Sequence, residues 1–354
     1  MKALFFTEGT KTSPASRIRV YEYLDRFSPG WNLTARTVSF TSESYCREIV
    51  AGEIIPWWRK VLEKFYQFRA IALLIAGAPG ADLVFIQRVL LPVPLQRLLG
   101  FFNRSQVYDF DDAVFLGKPC REKRFAFQVR RAARVIAVSR TAATQAVARG
   151  AEEKKVSVLP SPVDTSAFCA EEKRKEEIFT VGWIGSPATT GYLEALWPHL
   201  AAFAQNRPEV RFLFIGARVF PAGSLSGRTI FEPWSPKAET ESLCRLDVGL
   251  MPLEDDPWCR GKGGFKLIQY MAAGAACLAS PVGANLEIIE EGRTGYFVRR
   301  EEHWQSLLAE LLDDRELCRK MGRAGKQRAR NLYDYIVTAP AFHALLEETA
   351  KQIK

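Results

Sequence analysis

The sequence predicts two α/β domains in tandem, each built on a parallel sheet. Short apolar, β-branched runs alternate with amphipathic helical stretches, and this alternation begins afresh in the second half of the chain. The chain's 354 residues are also enough for two domains that each bury a core of their own. In the first half Lys2–Phe6, Leu33–Phe40, Leu83–Arg88, Gln106–Phe110, Val135–Val138 and Val156–Leu159 read as strands. Ser16–Phe27, Pro56–Ala76, Pro94–Phe102, Phe125–Ala133 and Ala142–Arg149 read as the helices that connect them. The second half offers Thr180–Ile184, Arg211–Ile215, Thr229–Glu232, Asp247–Met251, Ala276–Ala279 and Tyr296–Val298 as strands. A turn-rich and then charged segment between Pro160 and Glu177 is the expected break. From Glu301 onward the pattern is helical, with an interruption expected at Pro340.

Composition excludes several classes. With 47% hydrophobic and 25% charged residues the chain is neither disordered nor fibrous. Seven cysteines, at 46, 120, 169, 244, 259, 277 and 318, form no CxxC pair, which argues against a disulfide framework or zinc ribbon and for reduced thiols in a cytoplasmic protein. The N-terminal apolar run is too short for a signal peptide, and no stretch is long and apolar enough to span a bilayer. The three histidines, His199, His303 and His343, all lie in the second half, so the first half has no histidine chemistry. The net charge of +9 is uneven: residues 1–165 carry 25 basic against 15 acidic side chains, and the remainder 24 against 25.

The segment Asp255–Ile289 is the richest in chemistry. A basic, glycine-rich loop, Arg260, Gly261, Lys262, Gly263 and Gly264, opens a helix over Phe265–Ala273, and a second loop, Pro281–Asn285, opens another. Backbone amides freed at helix starts, together with cations such as Lys262 and Lys266, suit a phosphate group. An ordinary solvated loop is the bland alternative for the same residues.

KLIQYMAAGAACLASPVGANLEIIEEGRTGYFV resembles the donor-site signature of the retaining glycosyltransferases of GT-B fold, the family that includes glycogen synthase and many lipopolysaccharide and mannosyl transferases. VSVLPSPVDTSAF resembles their interdomain linker, TVGWIGSP the first strand and loop of their donor domain, and LCRLDVGLMPL the strand before the motif. The resemblance implies two Rossmann-like domains facing across a cleft: residues 1–165 on the acceptor side, 166–330 for the nucleotide-sugar donor, and 331–354 returning to the first domain. It implies transfer of a sugar from a nucleotide-sugar to an acceptor hydroxyl, with retention and no obligatory cofactor or metal, in cell-envelope or polysaccharide synthesis. Gly185, Ser186, Arg260, Lys262, Lys266, Gln269, Gly283, Ala284 and Asn285 are then the expected donor-side residues.

Two departures from the family pattern stand out. The donor motif's two glutamates are replaced by Gly261 and Gln269, and the loop after the first donor-domain strand, GSPATTGY, has no cation. Lys262 and Lys266, with Arg260 as runner-up, are expected to supply the missing charge. The missing glutamates keep open a non-catalytic nucleotide-sugar-binding subunit; the alternative among enzymes is a nucleotide-sugar epimerase of related fold, against which the scarcity of histidine and the better match of the donor motif argue.

VYDFDD, Val107–Asp112, ends an apolar strand in three carboxylates, which must be solvated, paired or used. Asp111 stands where the family has a histidine near the reacting sugar, and Asp109 shares its face; these two are the expected catalytic residues. Capping or pairing with arginines is the rival role, and Mg²⁺ binding a weaker one for want of further ligands. Arg17 and Arg19, in the first turns after the first strand, are expected on the acceptor or phosphate side. Trp57, Trp58, Phe65 and Phe68 alternate with Arg59, Lys60, Lys64 and Arg69, which reads either as the water-facing edge of a core helix or as a peripheral contact with the anionic inner face of the plasma membrane. The expected partners are thus a nucleotide-sugar and a glycan or lipid-linked acceptor; no nucleic-acid-binding module is apparent.

Overall fold

The computed structural model describes residues 1–27, 30–168, 178–217 and 223–352. The chain divides into two compact units, one of Met1–Pro162, Gly261–Gly263 and Tyr335–Lys354, the other of Val163–Arg260 and Gly264–Asp334. The charged residues 171–177 of the expected break lie outside the described residues.

The first unit is a six-stranded, all-parallel sheet: β1 (Lys2–Thr7), β2 (Thr34–Ser39), β3 (Leu83–Gln87), β4 (Gln106–Phe110), β5 (Arg134–Ala137) and β6 (Val156–Val158), in the spatial order β2-β1-β3-β4-β5-β6. Every residue of β3 and β4 is buried, as strands covered on both faces must be. One covering layer includes the helices Trp57–Gly77, Val93–Phe102 and Pro119–Arg131, with Phe6, Tyr108, Phe110 and Phe125 in the core. The other includes the helix Tyr335–Lys351, whose Phe342 stacks on Tyr23 at 4.4 Å and whose Tyr335 hydroxyl donates to the Ile18 carbonyl. Pro340 does not interrupt this helix. It sits on the exposed side, while Ala339 and Phe342 are anchored in the core on either side, so the backbone bond it removes is not a core one.

A further helix, Glu43–Ala51, begins at Ser42, whose hydroxyl accepts from the Tyr45 N–H, and ends at Gly52 with φ of 62°. The entering helix after β1 contains a π-helical stretch, Arg17–Tyr21.

The second unit is also six-stranded and parallel: β7 (Phe179–Ile184), β8 (Val210–Ile215), β9 (Thr229–Glu232), β10 (Val248–Met251), β11 (Ala276–Ala279) and β12 (Gly295–Phe297), ordered β12-β11-β10-β7-β8-β9. This is the doubly wound order, in which the chain starts at the centre and turns back across its own first strand. Its two flanking layers are packed by Trp183, Phe203, Phe212 and Trp304 on one side and Tyr270, Met271 and Leu267 on the other. Cys244 is disulfide-bonded, which corrects the expectation of uniformly reduced thiols; a bridge needs proximity in the fold, which spacing along the chain does not report. Cys46, Cys120, Cys259, Cys277 and Cys318 are thiols.

Candidate active site

In parallel sheets ligands bind outside the carboxyl ends of the strands, where the strand order reverses. In the first unit this point lies between β1 and β3, since β1 pairs with both β2 and β3. The residues that leave these strands, and β4 beside them, are Glu8, Arg88, Asp111 and Asp112. Arg88 takes a left-handed backbone, φ 63°, with its N–H on the Asp109 carbonyl at 2.8 Å. Its guanidinium reaches Asp111 at 2.8 Å and Asp112 at 3.1 Å, while Nε lies 2.9 Å from the Glu8 carboxylate without hydrogen-bond geometry. Gln87 braces the corner by accepting from the Glu8 N–H and the Ser16 hydroxyl.

Three carboxylates thus face one guanidinium. Burial works against the charge on Arg88, and Asp111, Glu8 and Asp112 more than restore it. Burial pushes the Asp112 carboxyl above the ordinary aspartate range; Arg88 and Lys262 oppose this, and Asp111 and Glu8 add to it. Asp112 is therefore the member of the cluster best placed to carry a proton. Among the described residues no group of three or more side chains is arranged to hold a metal ion.

Asp109, two residues earlier, has a different environment. It is 1% exposed and is gripped by Arg19, itself 3% exposed, through Nε at 2.8 Å and Nη2 at 2.5 Å. Arg19 uses its remaining nitrogen on the Leu159 carbonyl and the Ser161 hydroxyl. Burial opposes the charge on Arg19, and the Asp109 carboxylate more than compensates, so the guanidinium stays firmly protonated. This pair joins the π-helical stretch, β4 and the chain after β6 from inside; neither group faces solvent. Arg17, on the same stretch, is half-buried.

The loop residues Gly261–Gly263 belong to the first unit. A Cβ at Gly261 would stand 2.5 Å from the Ala113 Cβ, so the glycine found in place of a glutamate is a packing requirement. Lys262 acts on Asp112 through its charge.

In the second unit the order reverses between β7 and β10. The buried Tyr270 ties these strands together, its hydroxyl accepting from the Ile184 N–H and donating to the Leu250 carbonyl, both at 3.0 Å. The Gly185 and Ser186 amides follow, the first on the Ile215 carbonyl and the second on the Thr189 hydroxyl. Gly264, left-handed at φ 67°, opens the helix Phe265–Ala272. From that helix Lys266 extends over the Trp183 ring at 4.3 Å, and Gln269 donates to Glu239 at 2.8 Å. The other Glu239 oxygen accepts from the Trp234 indole N–H. Arg260 is held by Asp255 at 2.6 and 3.0 Å. Asn285 is buried and donates to the Ser280 carbonyl, so with Gly283 and Ala284 it shapes its loop from within.

The profile of the family "Glycosyl transferases group 1" matches residues 176–314. The chain is a glycosyltransferase. Solved structures similar to it over nearly its whole length include Anabaena HepE in complex with UDP-glucose, with a TM-score of 0.74, 15% identity and coverage of 98% of this chain and 100% of that one. Sucrose-phosphate synthase from Thermosynechococcus elongatus follows at 0.72, 16% identity and 98% of both chains. The lipopolysaccharide outer core galactosyltransferase WaaB in its apo form gives 0.67, 14% identity, and 98% of this chain and 99% of that one. At such identities the likeness shows the fold, which is GT-B. No curated protein matches the chain in sequence.

The glycosyltransferase's expected site residues fall into three groups. Asp111 and Lys262 gather around Arg88 and Asp112 in the first unit, and Lys266, Gln269, Gly185 and Ser186 surround the switch point of the second. Asp109 and Arg19 are absorbed by each other. The sequence reading missed Glu8, Arg88, Trp234 and Glu239. Position was the available signal for Glu8 and Arg88, since both immediately follow strands that were read correctly.

Proposed function

We propose that this glycosyltransferase uses a nucleoside diphosphate sugar, with retention of anomeric configuration, to extend a glycan or lipid-linked acceptor of the cell envelope or of a polysaccharide. The single observation that carries the donor side is the Trp234–Glu239–Gln269 cluster. It combines an aromatic ring with a carboxylate, the kind of group that accepts from ribose hydroxyls, within the segment that matches the family. Glu239, from a neighbouring helix, takes over the carboxylate role that Gln269 cannot fill. Lys266, on the helix that Gly264 opens, supplies positive charge for the diphosphate, and the Gly283–Asn285 loop borders the sugar. On the acceptor side Asp111 and Asp112 position the attacking hydroxyl and receive its proton. Arg17 is the nearer of the two N-terminal arginines to solvent and the better phosphate contact.

Uridine diphosphate sugars are the first donors to test, because HepE was crystallised with UDP-glucose. A panel of UDP-, GDP-, ADP- and dTDP-sugars, read by thermal shift and then by acceptor-dependent nucleotide release, checks the reading. One donor should raise the melting temperature in the wild type and fail to do so in Glu239→Ala. Nucleotide-sugar interconversion without an acceptor would refute transfer.

A further inference from the structure

The helix Trp57–Gly77 is apolar on two opposite sides. Ala70 and Leu74 point into the core of the first unit, and Glu63, the only carboxylate on the helix, is turned inward with them, accepting from the Ser42 N–H and hydroxyl. At 3.6 residues per turn the opposite side carries Trp57, Trp58, Val61, Leu62, Phe65 and Phe68. These are open to solvent: Trp57 is 77% exposed and Phe68 70%, and Ile54 in the preceding loop 98%. Lys60 and Lys64 border this stripe on one side and Arg69 on the other, and all three are exposed. A contiguous aromatic and aliphatic stripe of this size exceeds what a soluble surface carries without purpose.

We infer that this face docks on an anionic lipid surface, with the rings at headgroup depth and the three cations against lipid phosphates. The chemistry of the stripe argues for lipid. Tryptophan favours the interface because one end of its ring system is apolar and the other can hydrogen-bond, and lysine and arginine reach headgroups while their stems stay in apolar surroundings. Charge complementarity argues against a second copy of the chain, since two such faces would bring six cations together with no exposed carboxylate from either helix. Among the described residues no helix is long and apolar enough to cross a membrane, so attachment here is by the face of a helix. The helix runs back from beyond the carboxyl end of β2, which places the exposed aromatic turns toward the edge of the sheet that holds Arg88 and Asp111. An acceptor resident in the bilayer would thus be approached from the right end of this unit.

The test is sedimentation of the full chain with vesicles of equal parts phosphatidylcholine and phosphatidylglycerol against vesicles of phosphatidylcholine alone, and it does not depend on catalysis. The wild type should sediment with the anionic vesicles, less so as salt is raised, with a blue shift of tryptophan emission. Trp57→Ser/Trp58→Ser/Phe65→Ser should abolish binding. Lys60→Ala/Lys64→Ala/Arg69→Ala should lower the preference for anionic vesicles by roughly fivefold per cation, on the order of a hundredfold in all. The substituted side chains are exposed, and circular dichroism checks that both variants fold. Wild-type protein that ignores anionic vesicles at low salt, or variants that bind as the wild type does, would overturn the inference. So would a wild-type dimer that the aromatic variant converts to a monomer while vesicle binding is unchanged, since the face would then belong to a second copy.

Discussion

At the carboxyl edge of the first sheet Arg88 gathers Glu8, Asp111 and Asp112, whereas at that of the second Glu239 accepts from both Gln269 and the indole of Trp234, and Lys266 lies over Trp183. Both sheets are six-stranded and parallel, and both reverse order beside their first strand, so the backbone offers the same kind of crevice in each. The residues that leave the strands decide what each crevice holds. An ionic cluster with an excess of carboxylates can orient a hydroxyl and accept its proton. A carboxylate, an amide and aromatic rings suit a nucleoside, with few cations for its phosphates. The comparison also separates two neighbouring aspartates: Asp109, within β4, ends inside the fold, and Asp111, just past its end, at the edge.

Breaking the buried pair should have the largest effect. Arg19→Ala or Asp109→Ala leaves a buried charge without its partner and should cost about 3–5 kcal/mol in denaturant unfolding, while the double replacement Arg19→Met/Asp109→Leu should recover most of it. Asp111→Asn, at the edge, should leave stability nearly unchanged and lower turnover. If Asp109→Ala unfolds no more easily than Asp111→Asn, the contrast between the two positions fails.

Glu239→Ala should come next. Loss of hydrogen bonds to a charged acceptor is worth about 1.5–3 kcal/mol, so the donor KM should rise roughly ten- to a hundredfold with a smaller change in kcat. An equal effect on acceptor KM would blur the distinction between the two edges.

Asp112 sharpens the comparison through pH. Its folded carboxyl binds a proton more tightly than an ordinary aspartate, chiefly because the half-buried group loses part of its hydration. Its unfavourable contribution therefore appears as pH rises from the unfolded value through the raised folded one, and is absent in stronger acid. Asp112→Asn should be stabilising at neutral pH, with the gain vanishing below the ordinary aspartate range. If Asp112 must be ionised to act, the acid limb of kcat/KM should also lie above that range in the wild type and disappear in the variant. The smallest effect belongs to Lys266→Met, which removes the cation from the Trp183 ring and should cost about 0.5–1 kcal/mol of stability without donor present.

All twelve observed strands were readable from β-branched runs and their turn residues, to within a residue or so at each end. The helix Glu43–Ala51 was not among the expected elements, although Ser42 and Gly52 are an ordinary cap and stop for it. The helix continues through Pro340, where an interruption is expected, because a local rule about proline does not include the packing of Phe342 and Tyr335 that anchors the helix on either side of it. At the site, residue types near strand ends pointed to Asp111, Lys262, Lys266 and Gln269. Their partners were hidden, since Glu239 and Gln269 are thirty residues apart in sequence, and Arg19 and Asp109 ninety.

The sequence by itself determined the two α/β halves, the order of their strands along the chain, the donor-type motif with its missing glutamates, and the concentration of positive charge in the first half, because these follow from local periodicity, composition and spacing. Only the tertiary structure decided that Asp109 is buried against Arg19 while Asp111 faces Arg88, that Glu239 stands beside Gln269, that Gly261 packs on Ala113, and that Trp57 and Phe68 turn away from the core. Pairing and exposure depend on which distant segments the chain brings together, and a residue's own neighbours in sequence carry no record of that.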